Sequence, residues 1–357
     1  MTDGIGLLEH ARLTRPREET GYCTDDAGRA LALACRLPDD PAARRIASVT
    51  LGFLERAHLG RGTFRLRLGP GGRWTEDEPS DDAAGRALLG LGTAAARAPW
   101  PELRNRAAAL FEEAARFRSP WPRAAAYSAL GAAALLAADP GHVAARRLLG
   151  DAADQAEALF SGGGPAAEWP WPEPRLTYAN ALLPDAGLAE AAALGRPGLA
   201  EASLALLEWL IAEERSSSSP GRFSFTPVSG RAPGERGPAF DQQPIEAWAM
   251  ADACARALEL TGARRFGEAL EAAAAWFAGE NDAGLEMFDP ATGGGYDGLG
   301  PSSVNLNQGA ESTMAYVSTL LAARSGRLAP RQAASARASS RRETEAVAAP
   351  TQRSAAP

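Results

Sequence analysis

The chain has no lysine: all 37 basic residues in its 357 positions are arginine. That absence excludes a pyridoxal Schiff base, an amine nucleophile, a Walker A phosphate loop and a kinase-type phosphate lysine, all of which need the ammonium group. Cysteine is scarce, and Cys23, Cys35 and Cys254 are too scattered for a disulfide framework or a CxxC zinc site, which fits a reducing compartment. His10, His58 and His142 match no metal-binding spacing, so acid–base chemistry falls to the carboxylates. No apolar run approaches the ~18 residues of a membrane span. The opening MTDGIGLLEHARLTRP lacks the basic and apolar regions of a secretory signal, and the expected location is the cytoplasm. A net charge of −7 lacks the basic face of a nucleic-acid groove and suits an uncharged or basic substrate.

What is present is helical spacing. Ala247, Ala251, Cys254 and Leu258 recur at steps of four, three and four, with Trp248 and Ala255 widening the stripe. Similar patterns predict helices near 24–36, 41–59, 82–96, 101–117, 121–137, 141–160, 178–193, 197–213, 244–260, 263–278 and 308–324. Short turns such as LPDDP and ADPGH join the members of each pair, and the links between pairs are mostly long. The six first helices, starting near 24, 82, 121, 178, 244 and 308, imply six hairpins. Two share a sequence: TDDAGRAL (24–31) and SDDAAGRAL (80–88) differ by one inserted residue. Six hairpins bury their open faces by closing into a ring, so the expected fold is all-α, an (α/α)6 toroid over 1–325. Residues 4–13 are the candidate for the missing twelfth helix. SSSSPG (216–221) reads as a mobile loop inside the domain, and the Ser/Ala/Arg/Pro-rich segment 326–357 as a disordered tail.

Unusual polar strings precede or open the first helices: TDD (24–26), SDD (80–82), WPWPEPRLTYAN (169–180), FDQQPIEA (240–247) and NQGAES (307–312). In a closed ring they converge at one mouth. Carboxylates, amides and aromatics there suit a sugar. Each string also has a plainer reading. Thr24 and Ser80 are natural N-caps followed by acids that the helix dipole favours, and Pro244 with Glu246 suits a helix start. Trp169 and Trp171 could form a sugar platform or plug the ring. The glycines at 293–295 and 298 read as a tight turn carrying Tyr296 and Asp297. Asp282, Glu286 and Asp289 lack the ordered spacing of a calcium loop, and neither metal nor cofactor is assigned.

The strings GYCTDDAGRAL, WPWPEPRLTYANALLP, FDQQPIEA, TGGGYDGL and VNLNQGAEST, in order from about Gly4 to Leu321, resemble a bacterial family of the six-hairpin glycosidase-like superfamily. Its members are found as, or attached to, glycosyltransferase-labelled proteins. The resemblance implies the toroid, a carbohydrate substrate and possible partnership with a glycosyltransferase. It also shows departures: Ala179 stands where relatives carry Asp, and Asp81-Asp82 where Glu-Asp is expected. Toroids of this superfamily commonly invert with two separated carboxylates. The candidates are Asp26 and Asp82 for the base, and Glu173, Asp241 or Glu311 for the acid, with Glu173 preferred because burial beside a tryptophan raises a carboxyl pKa. Sugar contacts are expected from Tyr22, Asp25 and Arg29 in the first string, and from Trp169, Trp171, Tyr178 and Asn180 in the third. Gln242, Gln243 and Glu246 follow, then Asp297, Asn307 and Gln308. Two other readings are a non-catalytic glycan-binding or scaffolding module working with a glycosyltransferase, and an epimerase, for which His10 is the histidine beside a recognised string.

Overall fold

The computed structural model describes residues 1–326 apart from 77, 162–168 and 218. Ten helices run in order: α1 (Thr24–Ala34), α2 (Ala43–Ala57), α3 (Asp81–Arg97), α4 (Pro101–Ala114), α5 (Pro122–Ala138), α6 (Val143–Ser161), α7 (Leu182–Leu194), α8 (Pro197–Glu213), α9 (Pro244–Thr261) and α10 (Arg264–Phe277). An eleventh, α11, spans 310–326. Proline at the first positions of α4, α5, α8 and α9 presets φ where no amide partner is lost. Left-handed Gly195 and Gly262 close α7 and α9.

The odd-numbered helices pack in the sequence α1–α3–α5–α7–α9, and each carries its even-numbered successor on the outside. Ala310 and Met314 of α11 pack with Ala30 and Leu33 of α1 and with Trp248 of α9, which closes the inner ring. Inner helices α1, α3 and α5 meet backbone to backbone. A Cβ at Gly28 would lie 2.2 Å from the Arg86 carbonyl oxygen, and one at Gly85 would lie 2.4 Å from that of Ala124. These two glycines are equivalent in the duplicated sequence, so the repeat encodes the contact by which each inner helix seats on the next.

The twelfth helix expected over 4–13 does not form. Asp3 accepts from the amides of Ile5 and Gly6 in a tight turn, Leu13 has φ of 53°, and residues 11–12 pair with 15–16 as a short antiparallel ladder. The segment instead lies against the amino end of α11: its Glu9 and Leu13 carbonyls accept from Ala310 and Gln308, and Leu7 packs with Ala30 of α1 and Ala310 and Met314 of α11. Helix α7 begins four residues later than predicted because Asn180 Oδ1 accepts from the Thr177 amide, holding a turn in which Ala179 is left-handed. The expected tail lies, beyond Gly326, outside the described residues, and the 216–221 loop sits within the ring between α8 and α9 with residue 218 likewise outside them. No described helix is long and apolar enough to cross a membrane.

The long connections 58–80, 214–243 and 278–309 all enter the amino ends of inner helices, which places them at one mouth. Short ladders tie them together. Tyr22–Cys23 pairs with Arg67–Leu68, Gly298–Leu299 with Val304–Asn305, and Gln242 bridges to Leu299.

Candidate active site

At that mouth a cavity of about 480 Å³ is lined by the first turns of α1, α3 and α11 and by the loops before α7 and α9. Two buried arginines organise its floor. Arg29 contacts Asp26 Oδ1 and Glu311 Oε2, each at 2.8 Å, and so joins α1 to α11. Its counterpart in the repeat, Arg86, lies 3.2 Å from Asp25 Oδ2 and 3.1 Å from Asp82 Oδ1, joining α1 to α3. The Arg86 guanidinium is set over the Tyr127 ring at 4.6 Å and near the Tyr178 ring at 5.9 Å. Tyr178 Oη in turn lies 3.3 Å from Asp82 Oδ1. Arginine suits this place because its planar fork serves two carboxylates while its face stacks on an aromatic ring.

Electrostatics separates the acids. Burial pushes the Asp26 carboxyl up to about 7 against the attraction of Arg29, with repulsion from Glu311, Asp25 and Glu9 adding to the rise. Asp241 is also raised, by burial and then by the neighbouring charge of Asp297. Its Oδ1 is buried with no hydrogen-bond partner, and Asp297 uses its own Oδ1 to accept from Gly309 at the start of α11. The Phe240–Asp241 peptide bond is cis. Asp82 and Asp241 belong to α3 and to the entry of α9, which stand across the six-membered inner ring from each other.

Of the sequence candidates, Asp25, Asp26, Arg29, Asp82, Tyr178, Asp241, Gln243, Asp297 and Glu311 line this cavity. The others do not. Glu173 is bound bidentately by buried Arg123 at 2.6 and 2.9 Å and accepts from Trp171 Nε1, so its carboxylate is occupied away from the cavity. Trp169 and Trp171 pack against Trp209 of outer helix α8, with ring centroids 5.0 and 6.1 Å away, and form neither the expected platform nor a plug on the axis. Asn180 and Glu246 bond each other beneath the Tyr178 loop; Glu246 also accepts from the Ala179 amide, and burial with Glu214 nearby raises its carboxyl. Gln242 is fully buried and donates to Asp282. Tyr22 donates to Asp3, Asn307 accepts from Leu13, and Gln308 donates to Asp289.

The cavity also contains His10, the histidine of the epimerase reading, and Glu9, Cys23, Arg67, Ser80 and Arg86, which were not among the site candidates. Arg86 carried a readable signal, since it repeats Arg29 in the duplicated string. Glu9 carried none, because its approach depends on the strand-like path taken in place of a helix.

No family model matches the chain, and no curated protein does. Solved structures do. It is similar to a cellobiose 2-epimerase from Bacillus thermoamylovorans at 10% identity, over 90% of this chain and 93% of the other, with TM-score 0.65. The chain is an (α/α)6 toroid. It is also similar to a D-mannose isomerase at 13% identity, covering 91% and 93% of the two chains, with TM-score 0.62. An α-mannanase from Bacteroides thetaiotaomicron shares 11% identity over 86% of each chain, with TM-score 0.56. The toroid thus has the architecture of these proteins with a sequence far removed from theirs.

Proposed function

We propose that the mouth cavity binds a saccharide and cleaves its glycosidic bond with inversion, Asp241 acting as general acid and Asp82 as general base. The observation that carries this reading is the buried, unpartnered Oδ1 of Asp241, whose pKa burial and the nearby Asp297 raise, the direction a proton donor to the leaving oxygen needs. Asp82 is half-exposed and held in place by Arg86 and Tyr178, where it can take a proton from an attacking water or phosphate. Inversion requires a carboxylate separation of ~6.5–9.5 Å, and the two acids enter one cavity from different helices of the ring. Asp26, paired with Arg29 and buried, orients the floor instead of reacting. The carbohydrate-active names of the similarly folded proteins agree with a sugar substrate.

The test is a screen of oligosaccharides with and without phosphate, with product mass and anomeric configuration read by NMR. Wild type is expected to release a product of inverted configuration, and Asp241→Asn to lose at least ~100-fold in kcat. Because Asp241 must be protonated, turnover should fall as the pH rises through its raised pKa. Full turnover by Asp241→Asn would overturn the assignment. A second reading, epimerisation, has one observation in its favour: His10 lines the same cavity with its ring half-exposed. Uptake of solvent deuterium at the sugar carbon without bond cleavage would select it. Unaltered oligosaccharide that binds equally to wild type and Asp82→Asn would instead favour a glycan-binding module, the role compatible with a glycosyltransferase partner.

A further inference from the structure

Glu9, Cys23 and Asp26 come from the N-terminal segment, the strand before α1 and the first turn of α1, and no sequence motif joins them. In the fold, one carboxylate oxygen of each acid and the thiol sulfur all lie within 4.8 Å of one another. Among the described residues, this is the one group of three potential ligands brought so close. Cys23 and Asp26 are each only 3% exposed. Cys23 stands at the N-cap of α1, where its thiol meets the Asp25 backbone amide, and it lines the mouth cavity. His10 lines the same wall, its Nε2 3.7 Å from Glu9 Oε1 and its ring half-exposed.

From this convergence we infer that the toroid holds a divalent transition-metal ion of the zinc type on Glu9, Cys23 and Asp26, with His10 or a cavity molecule in the fourth position. Three chemical arguments support the site. A thiolate with carboxylates and an imidazole selects a borderline ion such as Zn²⁺ over Ca²⁺ or Mg²⁺, which want oxygen alone. Both carboxylates are already fixed in direction: Arg67 donates Nε to Glu9 Oε2 at 3.0 Å and Nη2 to Oε1 at 2.8 Å, and Arg29 donates to Asp26 Oδ1, so an ion would use the remaining lone pairs of these oxygens or Asp26 Oδ2. Outer partners of this kind fix the direction of ligating groups. A tetrahedral ion with bonds of ~2.0–2.3 Å spaces its ligand atoms by ~3.5 Å, so the donors need move by no more than about 1 Å. The surroundings also favour a cation. Asp25 and Glu311 add two further carboxylates, against Arg29, Arg67 and Arg86. On binding, the thiol proton passes to solvent as the metal–sulfur bond forms, so the charge of the ion is partly offset by a new thiolate. Such an ion would sit beside the sugar-binding floor and could ligate substrate hydroxyls, but the inference does not depend on the proposed hydrolysis.

The experiment titrates Co²⁺ and then Zn²⁺ into metal-stripped full-length protein without any glycan. Co²⁺ is expected to give a sulfur-to-cobalt charge-transfer band in the near ultraviolet, displaced by one equivalent of Zn²⁺. Cys23→Ser should abolish the band, whereas Cys35→Ser and Cys254→Ser retain it. Glu9→Gln should weaken Zn²⁺ binding at least 10-fold by calorimetry, with His10→Ala having a smaller effect. Circular dichroism melts verify that each variant is folded, and if Cys23→Ser fails to fold, the Glu9→Gln titration decides. No band at millimolar Co²⁺, a band that survives Cys23→Ser, or Zn²⁺ binding indifferent to Glu9→Gln would overturn the inference. Failure of glycan turnover would not touch it, because no readout involves a sugar.

Discussion

Gly28→Ala is the sharpest test of the inner ring. A methyl group there would stand 2.2 Å from the Arg86 carbonyl oxygen and 2.5 Å from its carbon, both backbone atoms of α3 that cannot rotate aside. Ordinary contact needs more than 3 Å, so α1 and α3 must separate by about 1 Å. The neighbouring contact opposes that movement too, since a Cβ on Gly90 would reach to 2.5 Å from the Gly28 oxygen, showing how closely the two backbones are seated. Overpacking of this kind costs ~1–3 kcal/mol, occasionally more, while alanine returns up to ~1 kcal/mol of helix propensity. The expected net loss is about 2 kcal/mol in urea or thermal unfolding. The same shift pulls Arg86 from Asp25, so saccharide binding at the mouth should weaken as well. Gly150→Ala is the control, because its Cβ would meet nothing within 4 Å in outer helix α6 and the exchange should gain about 1 kcal/mol. Wild-type stability in Gly28→Ala would refute the backbone-to-backbone account of the ring.

Two further outcomes follow from buried charge. Glu190 is buried with Oε2 unpartnered, and burial pushes its carboxyl up to about 8, Arg196 opposing and Glu157 adding. The unfolded chain ionises it near its usual value, so stability falls as pH rises from about 4.5 to 8 and then levels. Glu190→Gln should therefore melt near wild type at pH 5 and higher at pH 9, by up to about 4 kcal/mol; an equal shift at both pH values would count against the account. Arg123→Met should cost about 3–5 kcal/mol because it strands Glu173 in a partly buried site, whereas Arg106→Met, which removes an exposed pair with Glu55, should cost under about 1 kcal/mol. Paired chemical denaturation curves decide between them.

The helical ring was legible because its signals are local: apolar spacing, proline at helix starts and the twice-used TDDAGRAL pattern all act within a few residues. The convergence of acids at one mouth followed from topology, and it placed Asp26, Asp82, Asp241 and Glu311 together. Glu173 lies outside the cavity because its partner Arg123, 50 residues upstream, takes its carboxylate, a contact that adjacency to tryptophan in the sequence does not reveal. Tryptophans 169 and 171 lie outside the cavity for the same cause, their neighbour Trp209 coming much later in the chain, on α8. The N-terminal wall was invisible for a further reason. Leu7 and Leu8 suit a helix, and only the Asp3 turn and left-handed Leu13 divert the chain toward the cavity.

Close main-chain contact between inner helices through glycine runs from α1 through α5, while α7, α9 and α11 meet mostly through side chains, alanines together with Leu182, Leu183, Ile245 and Met250. The wall bearing Asp25, Asp26 and Asp82 is thus a stiff jaw, and the wall bearing Asp241 and Asp297 is the compliant one. Any breathing of the mouth would displace Asp241 against a stationary Asp82, so, if these two are the proposed acid and base, accommodating a larger guest should slow bond breaking before it weakens capture.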